Sequence, residues 1–126
     1  MRGRNSLPLQ GYGVSLCYDT AVFTCAGLSL AGTRGSGAPY FESDCGSGCA
    51  RAGAIVSNIC PPQIDAGDGP LLKLTLSVRP DAPLGTTTLD LRNVDPSTNN
   101  MARCGGTGVD PALLDGRVVI CGGSSR

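Results

Sequence analysis

The chain has 126 residues, room for one domain with a single core, and its ten basic and ten acidic residues cancel without forming a block of either sign. That balance excludes the electrostatic footprint of a nucleic-acid or anionic-membrane binder, and no stretch approaches the roughly 20 apolar residues of a membrane helix. Nineteen glycines, nine prolines and a single glutamate, Glu42, starve helices and supply turns, so the composition predicts an all-β fold.

Residues 1–10 are basic and polar, with Leu7 and Leu9 among them, and read as a frayed strand end. From Gly11 to Asp19, Tyr12, Val14, Leu16 and Tyr18 fall on one face and Gly13, Ser15 and Cys17 on the other, the period of a strand with one buried face. Val22, Phe23 and Cys25 begin a short strand or extended turn. Leu28 to Gly48 shows neither period and reads as a long loop touched by a strand at Tyr40-Phe41, with Gly32 to Gly37 its flexible part. Ala52 to Cys60 is β-branched enough for a strand that Pro61-Pro62 stops.

The strongest strand patterns come next. Leu72, Leu74, Leu76 and Val78 alternate with Lys73, Thr75 and Ser77, and Thr86 to Val94 carries Leu89 and Leu91 against Thr88 and Asp90. Between them, two prolines and Gly85 reverse the chain, which predicts a β-hairpin. A polar connection follows in which Pro111 to Leu114 reads as one helical turn, and Arg117 to Cys121 is the last strand, with Val118 and Ile120 inward. The total is about six or seven short strands joined by Gly/Pro-rich loops, the pattern of an antiparallel, Ig-like β-sandwich. Its expected core is Tyr12, Val14, Leu16, Leu72, Leu74, Leu76, Leu89, Leu91, Val118 and Ile120.

Seven cysteines, Cys17, Cys25, Cys45, Cys49, Cys60, Cys104 and Cys121, in a chain with few aromatics argue for disulfides in an oxidising, extracellular setting. Six cysteines can pair in 15 ways, so connectivity is open, and the seventh is free, intermolecular or partnered elsewhere. Zinc at Cys45-x3-Cys49 with Cys60 is the weaker reading, since a closed site wants four ligands at tight spacing. The basic N-terminus lacks the apolar run of a signal peptide, so the expectation is a piece of a longer exported protein whose N-terminus lies upstream.

The chain has no histidine, which removes the usual general base and every Ser-His or Cys-His nucleophile. With one glutamate and no aspartate in an apolar context, a glycosidase pair is missing as well, and the residues point away from an enzyme. No cofactor is expected. Asp65, Asp68, Asp110 and Asp115 offer oxygen ligands for calcium, but acidic turns bond their own backbone and the 6–8 oxygens that calcium needs are not gathered in one loop.

Three pieces resemble the cohesin domain family, a β-sandwich related in fold to cellulose-binding modules: Gly11-Tyr12 through Asp19 to Val22-Phe23; Gly67 through Val78 with Ala82 through Val94; and Asp115 through Ile120. Together they cover about half of the chain, the second being the most specific. The resemblance implies a single domain over residues 1–126 with a loose tail at 122–126, lacking the two strands with which family members begin. Such an open sheet edge leads to the expectation of dimers. The resemblance also implies a non-catalytic extracellular adhesion or scaffolding module for a protein partner, the alternative being a carbohydrate-binding module. A docking face would use the small outward residues Ser15, Thr75 and Ser77. Sugar binding would instead depend on the adjacent aromatics Tyr40 and Phe41.

Overall fold

In the computed structural model, which describes residues 1–92, 99–109 and 111–122, the alternating run around Tyr12 and Val14 becomes the longest strand. Eleven strands are present among the described residues. In chain order they are β1 (Arg2–Asn5), β2 (Leu9–Cys17), β3 (Phe23–Ser29), β4 (Tyr40–Asp44), β5 (Cys49–Ile55), β6 (Gly67–Pro70), β7 (Lys73–Val78), β8 (Gly85–Leu91), β9 (Asn100–Arg103), β10 (Gly108–Val109) and β11 (Gly116–Ile120). Seven have five or more residues, and the excess over the expected six or seven comes from β1, β6, β9 and β10, too short to show a period. Val94, Asp110 and the tail beyond Gly122 lie outside the described residues.

All pairings among the described residues are antiparallel. One sheet runs β10-β9-β2-β5-β4, with β8 joining β2 at Leu16↔Leu91 and Cys17↔Asp90 and β11 pairing with β8. The ribbons β1-β6 and β3-β7 make up the rest. The predicted hairpin is therefore corrected. β7 pairs with β3 and β8 with β11 and β2, and the turn between them carries the chain from one sheet to another. The prolines do reverse the chain, but each strand finds its ladder elsewhere; the Arg79 amide donates to Val22 O at 2.7 Å, binding this corner to the start of β3.

Leu9, Tyr12, Leu30, Ala54, Ile64, Leu71 and Leu72 form the buried cluster, with Val14, Leu28, Phe41 and Met101 packed on it. The expected core residues Tyr12, Leu16 and Leu72 are buried, whereas Val14, Leu74, Leu76, Leu89, Leu91, Val118 and Ile120 are half-buried. Their faces are right, but the centre lies at Leu9, Ile64 and Leu71, beside the β1-β6 ribbon. No helix occurs among the described residues. Pro111 to Leu114 instead has no regular secondary structure, and the Asp115 carboxylate just beyond accepts from the Leu91 amide at 2.9 Å, pinning this segment to the end of β8.

The Gly32–Gly37 loop is held rather than free. The Arg34 guanidinium donates to Gly3 O at 3.0 Å, to Asn5 Oδ1 at 2.6 Å and to Asp65 O at 2.6 Å, and the Arg34 amide donates to Pro70 O at 2.9 Å. One side chain thus fastens the loop, β1 and the approach to β6 together, using the fork of donors that distinguishes arginine from lysine.

Candidate functional site

Along β2, the inward Tyr12 and Val14 leave the odd positions Gly11, Gly13 and Ser15 on the outer face. Register with the neighbours sets two rows across that face. One is Tyr40 (β4), Ile55 (β5), Gly11 (β2) and Ala102 (β9); the other is Glu42, Gly53, Gly13 and Asn100. Glycines floor the middle and larger side chains stand on either side, leaving a trough of about 750 Å³. Four strands span about 14 Å across it at the usual interstrand spacing.

The floor glycines have different causes. A Cβ on Gly11 would come within 2.7 Å of Ala54 O, at a register shift where β2 and β9 slip past one another, so this position is restricted by the backbone. A Cβ on Gly53 would meet only Tyr12 O at 4.0 Å; the fold does not require glycine there, and its lack of a side chain simply keeps the trough deep. At the wall, the cross-strand pair Tyr40 and Ile55 is 63% and 44% exposed, an apolar patch beside Glu42. Glu42, exposed, is the one charged residue among the described lining residues.

Three disulfides brace this sheet. Cys17–Cys49 joins directly opposed residues of β2 and β5, Cys25–Cys45 ties β3 to the residue after β4, and Cys60–Cys104 links the loop after β5 to the residue after β9. Cys121 is the odd cysteine and is exposed. Cys45, Cys49 and Cys60 thus have three different partners, which removes the zinc reading. Among the described residues no three His, Cys, Asp or Glu side chains gather as a metal site. Asp65 Oδ1 accepts from Gln63, Asp68 lies 3.7 Å from Arg2, Asp115 caps Leu91, and Asp110 falls outside the described residues.

No family model matches the sequence, and no curated protein matches it. Solved structures do. The non-cellulosomal cohesin from the hyperthermophilic archaeon Archaeoglobus fulgidus matches with a TM-score of 0.74 at 16% identity, over 96% of this chain and 77% of that one. The seventh ScaB type I cohesin from Pseudobacteroides cellulosolvens gives 0.75 at 12% identity, over 98% and 79%. A type I cohesin–dockerin complex from Clostridium thermocellum gives 0.73 at 14% identity, over 96% and 89%. The chain has a cohesin-like fold.

On this cohesin-like sandwich the expected site residues part company. Thr75 and Ser77 are exposed, but on the β3-β7 ribbon, where Thr75 faces Gly27 and Ser77 faces Thr24. Ser15 is corrected: it is on the outer side of β2 yet 0% exposed. Asn99, itself buried, lies against it, donating to Ser15 O at 3.1 Å and accepting from the Ser15 amide at 2.8 Å. Ser15 is therefore unavailable for docking. Tyr40 and Phe41 are separated by the pleat, with Tyr40 outward and Phe41 inward against the core, so they form no common aromatic platform. Glu42, Gly53 and Ile55 were absent from the expected site; their shared outer face is set by the pairing of β4 with β5, which periodicity alone does not reveal.

Proposed function

We propose that this cohesin-like domain is a non-catalytic adhesion or scaffolding module of an exported protein, and that it docks a protein partner on the outer β4-β5-β2-β9 face. The observation that carries the reading is the exposed Tyr40–Ile55 pair beside a glycine-floored trough on a disulfide-braced sheet. Protein interfaces draw their energy from a few aromatic or aliphatic anchors in a surface with complementary relief, and a rigid face loses little ordering entropy on binding. The β3-β7 ribbon, rich in threonine and serine, exposes Val78 at its end but no aromatic side chain. Several structural neighbours are cohesins solved with dockerins, which supports a protein as the partner class. Three bridges support an oxidising compartment.

Carbohydrate binding is the weaker reading, because stacking on a sugar chain wants aromatic faces in one plane and the trough offers Tyr40 alone. The test pairs two captures from the source organism: secreted proteins and a polysaccharide panel, each with the wild-type domain and Tyr40→Ala. Protein retention that falls at least tenfold with Tyr40→Ala supports the proposal. Retention on a glycan that Tyr40→Ala abolishes, without a protein partner, overturns it.

A further inference from the structure

Among the described residues lining the trough, the only full charge is Glu42, and it makes no hydrogen bond or ion pair there. The nearest cation along the rows, Arg51, stands opposite Asp44 one row away, and Arg103 on β9 is not among the residues lining the trough. A second acceptor, Gln10 Oε1, is buried at the trough with no hydrogen bond among the described residues. The site therefore offers acceptors and negative charge beside an apolar pair, with no donor side chain of full positive charge. Tyr40 and Glu42 lie two residues apart on one strand face, a separation of about 7 Å.

Resting on the protein-docking reading above, we infer that the partner is a polypeptide segment presenting an apolar side chain to Tyr40 and Ile55 and a lysine or arginine, about 7 Å away, to Glu42. The apolar contact supplies most of the affinity. The charge supplies selection, since an acidic residue at the same place would meet an unscreened like charge as the trough loses water. Glu42 thus acts as a gatekeeper among segments that share the apolar anchor, and no other residue along the described walls duplicates its charge.

The experiment uses phage-displayed peptides, about half in helix-stabilised and half in hairpin formats, selected on the whole domain and mapped by amide chemical shifts. Soluble β-glucan oligomers serve as a parallel probe. Trough-directed peptides enriched in Lys or Arg, whose affinity falls about tenfold with Glu42→Gln and about a hundredfold with Glu42→Lys, support the inference. So does a selection on Glu42→Lys that enriches Asp or Glu instead. Unchanged melting of both variants is expected, as Glu42 is exposed. Trough-directed peptides indifferent to Glu42→Lys overturn the charge rule and leave the docking face standing. Peptides that map elsewhere, or binding by the glucan alone, overturn both.

Discussion

The Tyr12 hydroxyl donates a hydrogen bond to the Leu71 carbonyl, joining the central strand β2 to the chain between β6 and β7 through the core. Burial raises the phenol above the ordinary tyrosine pKa, partly offset by Thr33 and by the positive charge of Arg34. A raised folded-state value means that the protonated ring stabilises the fold fully below about pH 10, and that this contribution is lost as pH rises through the folded value. The expected outcome is a melting temperature that drops above pH 10, with one tyrosine ionising late in an ultraviolet titration. Tyr12→Phe should lose the late-titrating group and about 1–2 kcal/mol, because Leu71 O is left unpaired in the core.

Gly35 sits directly against that hydroxyl, and a Cβ built on it collides with the Tyr12 phenol oxygen. Gly37, two residues on, has open space around it. Gly35→Ala should therefore destabilise the domain by about 1–3 kcal/mol, in the range of overpacking substitutions, while Gly37→Ala is neutral within about 0.5 kcal/mol. Chemical denaturation of the two variants makes the comparison.

Alkylation of the native domain followed by mass spectrometry should label one thiol, Cys121, and label all seven after reduction. Loss of the Cys60–Cys104 bridge, which closes a separation of 44 residues, is expected to cost about 4 kcal/mol, and loss of Cys25–Cys45, with a separation of 20, about 3 kcal/mol. An inverted order would show that strain or residual structure outweighs loop closure.

Strand faces were legible in the chain because alternation depends on a residue and its neighbours two positions away. Leu74 and Leu76 face inward and Thr75 and Ser77 outward, as their period requires. Strand partners were not legible, since alternation states which side is buried but not which edge is paired; hence β7 and β8 looked like a hairpin while each pairs with a strand from elsewhere. Ser15 fails for a related reason: parity puts it on the outer side of β2, but it is buried, and the side chain that bonds its backbone, Asn99, lies 84 residues away. Arg34 carried no signal at all in a Gly-rich stretch, because its partners are backbone carbonyls and an amide on distant segments. The trough was partly readable, as Gly13 was on a recognised outer face, but Gly53, Glu42 and Ile55 join it only through the β4-β5-β2 register.

The most direct measurement is the affinity of the captured protein partner for Gly53→Gln and Thr75→Gln, each checked for unchanged melting. Gly53 has room for a side chain and no positive φ, so Gly53→Gln should fold normally while filling the trough floor. Thr75 is exposed on the β3-β7 ribbon, so Thr75→Gln changes that surface in the same way. Docking on the β4-β5-β2-β9 face predicts a loss of at least a hundredfold with Gly53→Gln and less than twofold with Thr75→Gln. Full affinity in Gly53→Gln, with loss in Thr75→Gln, would contradict it and move the docking surface to the β3-β7 ribbon.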